Sequence, residues 1–174
     1  MKKIVWVFGL IIGAVFCANI GFMVSWMYDN PDLKGSEMVG YAVMVVVFSL
    51  IYFGTRNYRN KHLDGYISFG KAFKTGALIA LVGSTIYVLA WLFSYYVFVP
   101  DFMDIYTDYV LKNCAPDDLP AKTKQMESFK EMYKNPIFVV LITYSEVLPV
   151  GLVVALVSAL VLKRKNKVPV VPQA

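Results

Sequence analysis

Four stretches of the chain carry no charge or almost none: Ile4–Tyr28, Met38–Thr55, Thr75–Pro100 and Asn135–Leu162, the last broken only by Glu146. They are 25, 18, 26 and 28 residues long. A helix rises about 1.5 Å per residue and the hydrocarbon core of a bilayer is about 30 Å thick, so the second stretch, about 27 Å as a helix, only just spans it. The others span with length to spare. Backbone groups in lipid must bond within their own segment, so stretches of this length predict helices. The pattern therefore predicts an all-α protein, a four-helix transmembrane bundle forming one domain over residues 1–165. Spans are expected at about 4–28, 38–55, 75–100 and 136–162, with a connection at 101–135 and a tail at 166–174. A secretory signal is the competing reading of the first stretch. Its apolar run continues through Phe22, Met23 and Trp26, beyond the 7–15 residues of a signal core, so an uncleaved span is expected.

The connections have patterns of their own. Asp64-Gly65 is a turn signal, and Ser68 stands where a cap would precede a helix starting at Phe69. Phe69 and Phe73, one turn apart with Lys71 and Lys74 on other faces, suit an interfacial entry into the third span. In the longest connection Phe102, Ile105, Tyr106 and Tyr109 recur at helical spacing among acids, and Met126, Phe129, Met132 and Tyr133 do so among Lys and Glu. Two amphipathic helices packed on each other are expected there, joined through Cys114–Pro120.

Composition agrees. The chain is 58% hydrophobic and 17% charged, with a mean hydropathy of +0.57, too apolar for an ordinary soluble domain. Eleven of its 17 Lys and Arg lie before the first span, between the second and third, and after the fourth. The longest connection carries seven acids against five Lys. Lys and Arg favour cytoplasmic loops, so both termini are expected in the cytoplasm and the longest connection on the extracytoplasmic side. The pI of 9.1 reflects these span-flanking charges, which suit topology and anionic lipid; no nucleic-acid partner is expected. Cys17 and Cys114 are the two cysteines, one in a span and one outside, and are not expected to pair.

The search for reaction chemistry returns little. His62 is the single histidine. There is no HExxH or CxxC pattern, no Walker A and no GxGxxG, so no cofactor, metal or catalytic residue is assigned and no enzyme activity is expected. Small residues recur every four positions as Gly9–Gly13–Cys17–Gly21, Gly76–Ala80–Ser84 and Gly151–Ala155–Ala159, faces that let helices pack closely in lipid, within one subunit first.

Glu146 is the sharpest feature, the one strongly ionisable side chain within a span. A charge at mid-membrane costs about 2.5–3.5 kcal/mol on insertion scales. Glu146 is therefore expected to be neutral, hydrogen-bonded or turned to a wet cavity. Pro149, one turn on, removes the donor to the Ser145 carbonyl and is expected to bend the helix. By depth, Asn19 on the first span and Tyr87 and Trp91 on the third lie level with Glu146. Glu146 is expected to face the bundle interior and bond Asn19 or Tyr87. These five, Glu146, Asn19, Tyr87, Trp91 and Pro149, form the candidate polar site, structural or functional.

Gly54-Thr55-Arg56-Asn57-Tyr58-Arg59, Ile67-Ser68-Phe69-Gly70-Lys71-Ala72-Phe73, Glu146-Val147-Leu148-Pro149-Val150-Gly151 and Lys163-Arg164-Lys165 together resemble the domain-of-unknown-function family numbered 4199. That resemblance runs from about Lys2 to Lys165. It implies four spans and a place in the bacterial inner membrane, and it brings neither an activity nor functional residues. The function expected is that of a non-enzymatic accessory or assembly protein in the lipid bilayer, acting with a membrane-protein partner or a second copy of itself. A small transporter or channel subunit handling protons or cations through Glu146 is the alternative, and a membrane-bound enzyme a weaker third.

Overall fold

The structure, a computed structural model, describes residues 1–29 and 37–164. The charges expected to mark sides at Asp32, Lys34, Lys165 and Lys167, and the tail at 166–174, lie outside the described residues. Seven helices follow in order: α1 (Lys2–Asp29), α2 (Glu37–Phe48), α3 (Leu50–His62), α4 (Phe69–Val97), α5 (Phe102–Asn113), α6 (Leu119–Tyr133) and α7 (Pro136–Leu162). Four segments are long and apolar enough to cross a membrane: Lys2–Trp26, Met38–His62, Phe69–Val97 and Pro136–Leu162. The protein is an all-α bundle of four candidate membrane-spanning helices.

Two segment ends differ from the sequence pattern. The second span continues two turns past Thr55 to His62, which relieves its tight fit. Its added turns are amphipathic, with Tyr58 buried and Arg56 and Lys61 exposed, as suits the membrane interface. The span is locally interrupted at Ser49, whose hydroxyl donates to the Val46 carbonyl at 2.6 Å and so competes with the helical ladder. The third span ends at Val97 and not at Pro100, because the residue before a proline is pushed out of the helical region. At its start, α4 begins at Phe69, with Ser68 in the cap position although its hydroxyl makes no cap bond. α7 begins at Pro136, where Asn135 accepts a hydrogen bond from the Ile137 amide at 3.0 Å.

The small residues explain the packing. α1 and α4 run parallel: methyl groups at Gly9 and Gly13 would come within 2.5–2.6 Å of the Val82 and Ile86 side chains, which occupy the space. α4 and α7 run antiparallel, with Gly76 against Ala155 and Gly151 against Ala80. Thus two of the three small-residue stripes face each other, and the third receives larger side chains. The expectation of close packing within one subunit holds for these positions. Cys17, which is exposed, and Gly21, with open space at its Cβ, take no part.

Phe48 of α2 closes the middle of the bundle, touching Phe16 edge-on at 5.2 Å. Val147, Ile79, Val88 and Ile51 complete this core. A hydroxyl pair ties α7 to α4, Tyr144 Oη donating to Thr85 Oγ1 at 2.7 Å.

At the basic end the chain turns through Asp64 and Gly65, both with positive φ. Ile67 and Arg164 then exchange two backbone hydrogen bonds of 2.9 and 3.2 Å. Buried Arg59 donates to the Leu162 carbonyl at 3.2 Å, supplying one of the bonds that the last turn of a helix lacks. At the other end α5 and α6 form a hairpin joined by a short 3-10 turn at Pro116–Asp118. Met103 and Met126 are its buried faces, and Lys130 pairs with Asp104 at 2.6 Å.

Candidate functional site

The hairpin does more than cover itself. Phe102 stacks on Tyr106 at 5.9 Å and meets the Trp91 ring edge-on at 4.9 Å. Tyr133, the last residue of α6, packs edge-on against Tyr95 at 5.3 Å. Ile20 of α1 and Val139 of α7 seal this aromatic cluster from either side. The hairpin is thereby seated on the end of α4, which is why Trp91 is only 6% exposed so near the end of a span.

Polar groups follow the same line. The Trp91 indole N–H hydrogen-bonds the Tyr133 hydroxyl. Burial pushes the Tyr133 phenol above its ordinary range. The negative charge of Glu146 adds to that, the Trp91 hydrogen bond opposes it, and Tyr95 and Tyr87 add smaller contributions. Glu146 is also in electrostatic reach of Tyr87, whose ring lies on Phe16 at 5.0 Å. One carboxyl therefore acts electrostatically on two phenols, Tyr87 of α4 and Tyr133 at the end of α6.

The position of Glu146 follows from the packing of α7. The residue is exposed on α7 and in electrostatic reach of Tyr87, one of its two expected partners. The buried stripe of α7 is Val139, Thr143, Val147, Gly151 and Ala155, and Glu146 is one residue, or about 100°, off it. The close contacts of Gly151 and Ala155 with α4 fix that rotation. Asn19 is half-buried on α1, one turn beyond Phe16. α1 and α7, which carry Asn19 and Glu146, pack on different faces of α4. Tyr87 and Trp91 are brought together with the carboxyl's surroundings, and Tyr133, from a different segment, joins them. Pro149, one turn along α7 from Glu146, is exposed on the lining of a groove with Val45 and Ser49.

Tyr133 is the residue that sequence reasoning did not connect to Glu146. Its helical pairing with Phe129 and Met126 was visible, but the folding of the hairpin onto α4 was not. His62 is exposed, its ring tilted against Tyr58 at 5.7 Å. Among the described residues no group of three or more His, Cys, Asp or Glu side chains converges in a way that would hold a metal ion.

The model of a family described as protein of unknown function (DUF4199) matches residues 6–164. The chain belongs to the DUF4199 family. No curated protein and no solved structure matches the chain. Membership extends over all four spans and the hairpin, so the aromatic cluster and Glu146 both fall within the family's domain.

Proposed function

We propose that this DUF4199 member is a non-enzymatic accessory or assembly protein of the bacterial inner membrane, with both termini cytoplasmic. The observation that carries the reading is the exposed carboxyl of Glu146 on a membrane-spanning helix. It lies three residues from the midpoint of α7, roughly 4–5 Å along the axis, well inside the hydrocarbon core. Lipid around such a group costs a few kcal/mol. Within the protein that carboxyl already interacts electrostatically with Tyr87 and Tyr133, and a helix of another polypeptide seated over the exposed position would shield it further from lipid. Exposed apolar surface also supports the reading: Met38, Val39, Tyr41, Val45 and Val46 of α2 are exposed.

A second reading, a small transporter or channel subunit for protons or cations, draws on the electrostatic interaction of Glu146 with Tyr87 and Tyr133. Photo-crosslinking in cells tests the first. A photoreactive residue at Ser145, beside Glu146, is expected to give a discrete protein adduct, and one at exposed Leu89 on α4 is not. Glu146→Gln is expected to keep the adduct, since an amide still bonds, and Glu146→Ala to lose it. Lipid adducts alone from both positions would overturn the assembly reading. A folded Gln variant that assembles but loses ion flux would favour the second.

A further inference from the structure

The groove beside Pro149 starts one turn along α7 from Glu146, which is not part of its lining. Val45, Ser49 and Tyr52 form one wall and Pro149, Val153 and Val157 the other of an open groove of about 590 Å³. The lining is almost wholly apolar, because the Ser49 hydroxyl is turned back onto the Val46 carbonyl. It runs from Pro149, the midpoint of α7, down to Val161. Twelve helical positions rise roughly 16–18 Å, about half of a 30 Å hydrocarbon core. The groove is thus one leaflet deep, a length suited to an acyl chain rather than to a spanning helix.

Exposed cations follow the lining residues at the basic end of both helices. Arg56 follows Tyr52 by one turn on the same face, and Lys163 and Arg164 follow directly on α7; all three are exposed. Among the described residues none of the three is in an ion pair. Between Arg56 and Lys74 the one acid is Asp64. Arg59 is occupied with the Leu162 carbonyl and pins α3 to α7 at this end, which leaves the outer cations for a ligand. An elongated apolar slot ending at a cationic edge has the shape and charge of one lipid class.

We propose that this groove holds an acyl chain of an anionic phospholipid from the leaflet at the basic end, its phosphate between Arg56 and the Lys163–Arg164 pair. Each surface cation attracts anionic headgroups, so two or three should favour an anionic over a zwitterionic lipid by roughly tenfold or more.

Native mass spectrometry of the full chain, delipidated and then given dioleoylphosphatidylglycerol or dioleoylphosphatidylcholine, tests this. One retained phosphatidylglycerol is expected, with at least roughly tenfold less phosphatidylcholine. Arg56→Gln with Arg164→Gln should bring the two lipids close to parity. Val157→Trp should displace both, because it fills the slot. All three positions are exposed, so unchanged helical melting will confirm that the variants fold. Equal retention of the two lipids by the unmodified protein would overturn the proposal. So would retention unaffected by Val157→Trp, or a dimer that Val157→Trp converts to monomer, which would assign the groove to a second copy.

Discussion

Gly76 of α4 and Ala155 of α7 meet so closely that a methyl group on Gly76 would stand 2.9 Å from the Ala155 Cβ and 3.3 Å from its Cα. At the reciprocal contact one turn away, Gly151 faces Ala80 at 2.9 Å and the Phe48 ring at 3.0 Å. An alanine neighbour has no rotamer with which to yield, so the helices themselves must part. Gly76→Ala and Gly151→Ala are expected to destabilise the bundle by about 1–3 kcal/mol. Gly21→Ala, which meets nothing within 4 Å, is expected to be neutral or slightly stabilising. Helical melting in detergent compares the three, and equal melting would show that the α4–α7 contact is looser than described.

The span pattern was legible because charge is so costly in lipid that its absence marks segments almost by itself. The fourth span starts and ends where the uncharged stretch does, and the hairpin helices follow their aromatic periodicity. The rotation of each span was harder to read. Depth arithmetic set Glu146 level with Tyr87 but carries no azimuth. The Gly151–Ala155 stripe does carry it: once that stripe faces α4, Val147 lies on the buried face of α7 and Glu146 about 100° from it. Tyr133 was out of reach for a different reason. Its approach to Trp91 depends on how a hairpin folds back onto a helix end more than thirty residues earlier, and local periodicity contains no such information.

Arg59 is 9% exposed and donates to the last carbonyl of α7. Arg59→Ala leaves that carbonyl without this donor and removes the packed stem, an expected loss of about 1.5–3 kcal/mol. Lysine at the same position should recover part of it. Trypsin should then cut faster after Lys163 and Arg164 in the Ala variant; unchanged cleavage would mean that the Ile67–Arg164 backbone pair holds this end alone.

Tyr133 is expected to make the protein sensitive to alkali. Its phenol binds its proton more tightly folded than unfolded. The resulting stability is fully present below the ordinary phenol pKa of about 10 and is lost as pH rises through the higher folded value. Tyr133→Phe should therefore flatten the fall in stability above pH 10 while costing about 1 kcal/mol at neutral pH through the lost Trp91 bond. Chemical denaturation at pH 8 and pH 11 reads both effects, and parallel losses in the two proteins would contradict the buried phenol.

Orientation is open to direct chemistry. Gln125 on α6 and Asn60 on α3 are both exposed and lie at opposite ends of the bundle. With Cys17 and Cys114 replaced by Ser, Gln125→Cys should react with an impermeant thiol reagent on cells whose inner membrane is intact and accessible. Asn60→Cys should react only after lysis. The reverse pattern would invert the topology.

The most direct test of a partner at Glu146 is the mass of the particle extracted from its own membranes in mild detergent, measured for the unmodified protein, Glu146→Gln and Glu146→Ala. A helix seated on the carboxyl predicts a stoichiometric complex for the first two and a lone 19.6 kDa chain for the third, with helical content unchanged in all. A lone chain in every case, or one complex that is indifferent to the Ala substitution, would contradict it.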